Sequence, residues 1–309
     1  MKHPKNVPLV YSPHYSISWN PKHRFPMAKY LLLYEYLSNA GLASKENVYI
    51  SSPASRKQLA LAHSPAYVDR FIAGDLSLHE CKQLGLIWSN ELVRRTLTAV
   101  GGTILTCKLA SQHGIACHLA GGTHHAFRDQ GAGFCVFNDI AVAAKNLLET
   151  GQAKSVLIID CDVHQGDGTA KIMAEEPRCF TCSMHARTNF PFEKMISDLD
   201  IEIERGTGDK EYLEILDSTL AKLDQQINAD FVIYDGGSDV HQDDRLGHLQ
   251  LSDEGIRQRD HKVIGWAKSR GIPIACVIGG GYDHDHHKLA LRHSLLPKAA
   301  EFIYQQSLR

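Results

Sequence analysis

The sequence lacks the features that mark membrane, fibrous or nucleic-acid-binding proteins. No apolar run among its 309 residues approaches the roughly 18 that a membrane-spanning helix needs, so we expect no membrane partner. Its 33 Lys and Arg nearly cancel 35 Asp and Glu, leaving a formal net charge of −2, which disfavours direct nucleic-acid binding through bulk charge. Linker-like and repetitive tracts are also missing, and we predict one domain over residues 1–309.

Signs of secretion are scarce as well. The apolar stretch near the N-terminus, residues 7–11, is too short for the core of a signal peptide. The eight cysteines are scattered without the rhythm of a disulfide framework. The single C-x-x-C pair, Cys179 and Cys182, falls inside a predicted strand, which favours buried packing over a redox or zinc role. We therefore expect a cytoplasmic protein; the oligomeric state is not readable from the sequence.

The motifs of several other enzyme classes are absent too. There is no G-x-S-x-G elbow, no H-E-x-x-H pair, no Walker lysine loop and no G-x-G-x-x-G turn. What the chain has in excess is histidine, at 18 residues. The most conspicuous His-rich tract, residues 283–287, should open the last helix, where its acids suit the helix dipole, and we do not expect it to bind metal.

Short apolar runs alternate with longer helical patterns, which predicts an α/β fold with a mostly parallel sheet covered by helices. The predicted strands are 7–11, 115–119, 155–160, 179–184, 231–234 and 273–278. The predicted helices are 27–39, 91–113, 138–149, 211–228, 253–270 and 286–305. Gly114, Gly151 and Gly271 stand where three of these helices should end.

Polar or glycine-rich clusters follow four of the predicted strands. They are GGTHH at 121–125, DCDVHQGDG at 160–168, DGGSD at 235–239 and GGGY at 279–282. Ligands of open parallel sheets bind beyond the carboxyl ends of the strands. The sequence therefore predicts that the four clusters share one site.

The donors in these clusters suit a divalent metal. Asp162 and His164 are two residues apart and would face the same side of an extended segment, and Asp239 could add a third ligand. Two carboxylates and one imidazole match a catalytic zinc site, which keeps one position open, although iron(II), cobalt or manganese would also accept them. The alternative is that Asp160 and Asp162 only cap the helix after Gly168; the other three clusters favour the metal.

Residues for proton transfer lie in the same clusters. The unperturbed pKa of histidine would allow a neutral His124 or His125 to accept a proton from metal-bound water near pH 7. Each needs a carboxylate to set its tautomer, and Asp160 and Asp167 are the acids available. Tyr282 follows three glycines, where its hydroxyl could donate a hydrogen bond to a developing oxyanion.

Together these motifs resemble the zinc-dependent histone deacetylase superfamily, which includes acetoin-utilisation proteins and acetylpolyamine amidohydrolases. The resemblance rests on residues 121–126, 133–139 and 160–169, and it runs in order from about Tyr11 to Tyr282. Residues 205–209 and 244–252 are most similar to the class IV branch and its bacterial relatives. The resemblance implies an arginase-like three-layer sandwich with a central, mostly parallel sheet flanked by helices.

The resemblance also implies a reaction. It is the removal of an acetyl or longer acyl group from N-ε-acyl-lysine in a protein or peptide, or from a related acylated small amine, by zinc-activated water. One Zn²⁺ per chain would be held by Asp162, His164 and Asp239. His125 would act as general base and acid, and Tyr282 would polarise the scissile carbonyl.

Further positions follow by the same resemblance. His124 would pair with Asp160 and His125 with Asp167. The acyl-lysine tunnel would be lined by Gly133, Phe134, Phe190 and Leu246. A structural K⁺ would be bound by the carbonyls of Asp160, Asp162, His164 and Met184 and by the hydroxyl of Ser183.

One departure from the family concerns the rim of the tunnel. Many lysine deacetylases have an aspartate there that binds the substrate backbone, whereas this chain has Ile87 at the corresponding position. Two alternatives stay open: a ureohydrolase on the same fold with two manganese ions, and a non-catalytic sensor or scaffold for acyl ligands. Against the first, His241 stands where a second metal would favour an aspartate.

Overall fold

In a computed structural model that describes residues 4–20 and 22–307, a parallel β-sheet forms the centre of the protein. Within those residues the sheet has eight strands in the order β2-β1-β3-β8-β7-β4-β5-β6, and every pairing is parallel. The strands are β1 Leu9–Tyr11, β2 Val48–Ile50, β3 Ile115–His118, β4 Val156–Asp160, β5 Cys179–Ala186, β6 Leu199–Ile203, β7 Phe231–Asp235 and β8 Ile274–Val277.

Eleven α-helices connect and cover the strands in the described part of the chain. They are α1 Lys29–Asn39, α2 Arg56–Leu59, α3 Pro65–Ala73, α4 Leu78–Leu84, α5 Asn90–His113, α6 Asp139–Glu149, α7 Asp167–Met173, α8 Asp209–Gln226, α9 Asp253–Ser269, α10 His286–His293 and α11 Leu295–Ser307. Strand β3 contacts both α5 and α11, while β8 contacts α5 and α9. The helices therefore lie on both faces of the sheet, as the predicted three-layer sandwich requires.

The predicted α/β architecture is confirmed, and all six predicted strands are present with shifts of a few residues at their ends. The two strands that were missed, β2 and β6, are the edges of the sheet. Because an edge strand is only partly covered, its side chains are half-exposed, and its sequence lacks the continuous apolar run of the buried strands β4 and β7. The short helices α2, α3, α4 and α7 were also missed.

The helix predicted over 286–305 is wrong as one element, because the structure divides it into α10 and α11 at Ser294. Pro297 lies in the first turn of α11, where its missing N–H costs least; inside a continuous helix it would break a backbone hydrogen bond. Three other predicted ends hold: Gly114, Gly151 and Gly271 have φ angles of 85°, 69° and 69°.

The order of the strands explains how distant clusters can form one site. Strands β3, β8, β7 and β4 are consecutive neighbours in the sheet. The loops that follow them contain the four polar or glycine-rich clusters, so these loops lie side by side along one edge of the sheet. Strands β3, β4, β7 and β8 are themselves completely buried.

Candidate metal-dependent active site

Asp162, His164 and Asp239 converge at this edge. One ligand atom from each lies within 4.8 Å of the others. The His164 Nδ1 atom is 3.1 Å from Asp162 Oδ1 and 3.2 Å from Asp239 Oδ2. All three side chains are buried, so two carboxylates face one another away from water and call for a cation between them.

Backbone groups orient these carboxylates. The Gly280 N–H donates to Asp162 Oδ2 at 2.7 Å, and the Val163 N–H donates to Asp239 Oδ1 at 2.9 Å. The second oxygen of Asp239, Oδ2, is buried and accepts no hydrogen bond within the described residues. A buried acceptor of this kind, beside an imidazole and a second carboxylate, fits a divalent metal with an open position.

The glycines of the neighbouring loops are required by this geometry. A Cβ atom at Gly280 would lie 2.1 Å from Asp239 Oδ2, and one at Gly237 would lie 2.5 Å from Asp162 Oδ2. Both distances are far inside van der Waals contact. Larger residues here would displace the ligands that we assign to the metal.

Charge and burial shape the titration of the three groups. Burial and the neighbouring Asp162 raise the pKa of Asp239 to about 6. Burial opposes protonation of His164, but the adjacent carboxylates of Asp162 and Asp239 prevail and raise its pKa to about 10. The acids thus attract positive charge to this point, which is also what metal binding needs.

Beside the candidate metal ligands, two histidines are each paired with an acid. His124 Nδ1 is 2.7 Å from Asp160 Oδ2, at the end of β4, and His125 Nδ1 is 2.6 Å from Asp167 Oδ1, at the start of α7. These are the two pairs predicted from the sequence. Burial is outweighed at His124 by Asp160 and Asp162, which raise its pKa well above the usual value. Burial and the His124 charge lower the pKa of His125 to about 4, so His125 is neutral at pH 7.

Tyr282 closes the other side of the site. Its ring centre lies 6.4 Å from that of His164 and 5.9 Å from that of Phe134. Burial of the hydroxyl raises the pKa of Tyr282 well above 10. The hydroxyl therefore keeps its proton at neutral pH and is available as a hydrogen-bond donor.

A cavity of about 350 Å³ leads to these groups. His125, His164 and Tyr282 line it, and so do the four residues predicted for the tunnel: Gly133, Phe134, Phe190 and Leu246. A Cβ at Gly133 would lie 2.7 Å from the His125 ring, and Phe134 has a φ of 66°, which is rare outside glycine. Such a turn brings backbone and ring close to the site. Ile87, by contrast, is exposed and not part of the lining.

The residues predicted for potassium lie next to this site. Asp160 and Ser183 are partners in the β4–β5 register, and the Ser183 hydroxyl lies 3.0 Å from His185 Nδ1. Met184 is the next residue of β5 and is buried. The ligand set for K⁺ stays a prediction.

A second group with metal-ligand geometry lies next to the first, with His124 Nε2 3.8 Å from Asp162 Oδ1. Ligand atoms of His124, Asp160 and Asp235 approach within 4.8 Å of one another. Both Asp235 oxygens are buried without a hydrogen-bond partner in the described chain, and burial raises the Asp235 pKa well above its usual range. His124 and Asp160 already pair with each other. Measuring the metal content per chain therefore tests whether this second group also binds an ion.

Two residues that support the site were missed in the sequence. Arg259 of α9 is completely buried and donates to the Cys161 and Gly237 carbonyls at 3.1 and 2.7 Å. It thereby joins the two loops that contain the candidate metal ligands. Its signal was available: Arg259 and Asp260 fall on the apolar stripe of α9, between Ile256 and Val263. A charged residue there is rarely buried without a specific partner.

Asp244 is the second residue that supports the site and was missed in the sequence. It accepts the backbone N–H groups of Tyr282, Leu246 and Gly247 at 2.6, 2.8 and 3.0 Å. It thereby connects the loop that contains Tyr282 to the loop that contains Leu246, a residue of the cavity lining. Its position in a polar segment gave no pattern by which the sequence could have indicated this role.

The remaining sequence expectations concern tracts outside the site. In the 283–287 tract, Asp285 caps α10 by accepting the N–H groups of His287 and Lys288, as expected for a helix start. Cys179 and Cys182 are buried in β5 and unbridged. Within the described residues no helix has both the length and the hydropathy to cross a bilayer.

The stretches 205–209 and 244–252 meet in the structure. Ser252, which precedes α9, donates to Asp209 at the start of α8 through both its N–H and its hydroxyl, at 2.8 and 2.6 Å. The Gly206 N–H donates to the His248 carbonyl at 2.9 Å. The two motifs are thus one structural unit at the wall of the cavity.

Comparison with known proteins agrees with this architecture. The histone deacetylase domain model matches residues 23–296. An uncharacterized protein of Picosynechococcus sp. is 47% identical over 297 residues, covering 96% of this chain and 99% of that protein. Histone deacetylase 2 of Arabidopsis thaliana is 30% identical over 289 residues, covering 89% of this chain and 74% of that protein.

A solved structure shares the fold. The crystal structure of an HDAC homolog from Aquifex aeolicus matches with a TM-score of 0.80 at 22% identity, covering 96% of this chain and 84% of that one. The fold is therefore the α/β sandwich of solved deacetylase homologues. The chain belongs to the histone deacetylase family.

Proposed function

We propose that this protein is a zinc-dependent amidohydrolase that removes an acyl group from N-ε-acyl-lysine or a related acylated amine. The observation that carries the proposal is the joint position of His164, His125 and Tyr282 at one cavity. A metal ligand, a neutral base and a protonated phenol reach the same space, as hydrolysis of a neutral amide requires.

The cavity walls suit the stem of an acyl-lysine. Phe134 and Phe190 offer aromatic faces, and Leu246 adds an aliphatic one. Gly133 leaves room where a side chain would meet His125. An uncharged amide at the end of four methylene groups enters such a passage at a much lower desolvation cost than a charged ammonium group would.

Within this arrangement the residues have separate roles. Asp162, His164 and Asp239 would hold one divalent ion, which would supply the Lewis acidity that polarises an amide carbonyl. The Tyr282 hydroxyl donates a hydrogen bond to the carbonyl oxygen as negative charge develops there. His125 Nε2 takes a proton from the attacking water and gives it to the leaving nitrogen as the C–N bond breaks.

The two buried acids set the state of the histidines. Asp167 accepts from His125 Nδ1, which makes Nε2 the basic nitrogen of His125. Asp160 stabilises positive charge on His124. The positive His124, in turn, helps to keep His125 neutral until it receives the proton from water.

Several finer assignments belong to the same proposal. The paired motifs at 205–209 and 244–252 support a place near the class IV branch. We propose that K⁺ binds the carbonyls of Asp160, Asp162, His164 and Met184 and the hydroxyl of Ser183, that residues 1–309 form one catalytic domain, and that the protein works in the cytoplasm.

The proposal is tested with a panel of acyl-lysine peptides and acylated polyamines whose acyl chains run from acetyl to long fatty acyl. We expect release of free amine with at least one acyl-lysine, and inhibition by a hydroxamate, which chelates zinc through two oxygens. Arginase-type activity would favour the ureohydrolase alternative. Binding of acyl-lysine without turnover in a metal-loaded protein would favour the sensor.

A further inference from the structure

The mouth of the cavity is positively charged. Arg24 from the segment before α1, Lys82 of α4 and Arg245 from the loop after β7 all line it, and all three are exposed. No aspartate or glutamate from the described chain is part of the lining. Three segments that are far apart in sequence thus bring cations, and no acid, to one opening.

These cations are available to a ligand. Arg24, Lys82 and Arg245 form no ion pair with any acid among residues 4–20 and 22–307. Other surface arginines do form such pairs, for example Arg56 with Asp69 at 2.6 Å and Arg187 with Glu202 at 3.0 Å. The net charge of the chain is −2, so the positive mouth is a local property and not the consequence of a basic protein.

Contacts within the protein hold two of these cations near the cavity, and a histidine adds a possible partner for an anion. Arg24 is held near the tunnel, since its Cζ atom lies 5.8 Å above the Phe134 ring. Arg245 is anchored by its backbone, whose N–H donates to the Tyr282 carbonyl at 3.1 Å. His248 also lines the cavity, and its Nδ1 is buried without a hydrogen-bond partner in the described residues.

From this arrangement we propose that the preferred substrate carries a carboxylate close to the acylated lysine stem. The inference rests on the proposed function and narrows its substrate class. A cationic opening attracts anionic substrates and repels cationic ones, so acylated polyamines and acyl-lysines flanked by basic residues are disfavoured. The carboxylate can be the α-carboxylate of free or C-terminal acyl-lysine, or the side chain of a neighbouring acidic residue.

The test compares matched substrates. Three acyl-lysine peptides differ only in their flanking residues, which are aspartate, alanine or lysine, and free N-ε-acyl-lysine is compared with its α-amide. We expect kcat/KM to fall from acidic to neutral to basic flanks, by about tenfold overall at low salt, and the difference to shrink as ionic strength rises. A larger loss on amidation of free acyl-lysine would identify the α-carboxylate as the source; a larger effect of flanking aspartate would identify a protein or peptide.

Substitutions at the mouth of the cavity test whether its cations cause the preference for acidic substrates. Arg24→Gln, Lys82→Gln and Arg245→Gln combined should bring the acidic-to-basic ratio of kcat/KM close to one, and Arg245→Glu alone should lower the ratio. Lys45→Gln is the matched control, because Lys45 is exposed but does not line the cavity, and it should keep the ratio of the unmodified protein.

The outcomes separate this inference from the proposed function. Hydrolysis of the alanine-flanked peptide with equal rates for aspartate and lysine flanks would overturn the carboxylate preference and leave the deacylase proposal intact. Faster turnover with lysine flanks would also overturn it. Failure to hydrolyse any acyl-lysine would overturn both.

Discussion

The Nε2 atoms of His124 and His125 lie 3.1 Å apart. Each ring directs its Nδ1 at a carboxylate, Asp160 or Asp167, and donates a proton there. Two bare Nε2 lone pairs would then face each other, so one proton must lie between them. The strongly raised pKa of His124 assigns that proton to His124, which leaves His125 as the neutral base.

His125→Ala should therefore be among the most damaging changes. General acid–base catalysis contributes about 10²–10⁴-fold, and we expect a loss of that order in kcat with metal content unchanged. Asp167→Asn should lose activity too, because the amide can favour the wrong tautomer of His125. Steady-state kinetics on the best substrate, with metal analysis, measures both; a His125→Ala enzyme within about twofold of the original would remove His125 from the proposed mechanism.

Tyr282→Phe removes one hydroxyl and keeps the ring contacts with Phe134 and His164. If that hydroxyl meets the oxyanion, turnover should fall on the order of 10²–10³-fold, as for other oxyanion donors. The loss should appear in kcat more than in KM, because the hydrogen bond strengthens as charge develops. Equal kcat values with a raised KM would instead assign Tyr282 to ground-state binding.

Asp239→Ala should lose the metal. The unmodified protein should bind about one divalent ion per chain, consistent with three ligands and an open position. The control is Asp243→Asn, an exposed aspartate four residues further on that pairs with Arg292, which should keep the metal. Metal analysis after dialysis checks both, and two equivalents of manganese per chain would support the site at His124, Asp160 and Asp235 and the ureohydrolase alternative.

Acidification should destabilise the fold through His63. The buried ring accepts the Asn138 N–H at Nε2 and lies 2.9 Å from the Phe127 carbonyl at Nδ1, so it is neutral in the folded chain. Burial lowers its pKa from 6.5 to about 4. The unfolded chain therefore binds a proton first as pH falls: the stabilisation is complete above pH 6.5 and is lost between 6.5 and 4.

Between pH 7 and 5 this loss amounts to about 2 kcal/mol. Urea unfolding at the two pH values measures it. His63→Gln, which does not titrate, should show a correspondingly smaller drop, while other buried histidines contribute equally to both proteins. Identical drops in the two proteins would show that His63 does not set this pH dependence.

The sequence predicted those features of the fold and the site that depend on a local pattern of residues. The period of two between Asp162 and His164, and the clusters at strand ends, were enough to indicate the site, because parallel strands bring their carboxyl ends together. The half-exposed edge strands β2 and β6 have no such pattern and were missed. The positive mouth was missed for another reason: Arg24, Lys82 and Arg245 come from loops and a short helix whose approach depends on the whole fold.

Arg259 has a consequence for how the metal is exchanged. Its guanidinium, bound to the Cys161 and Gly237 carbonyls, joins two loops by contacts within the protein, and neither contact involves the ion. A binding site built this way does not have to fold around its ligand, unlike a zinc finger, whose metal supplies much of the folding energy. We therefore expect the chain to stay folded when it is treated with a chelator and to accept zinc, iron(II), cobalt or manganese in turn. The native ion could then be identified by titrating each metal into one folded preparation.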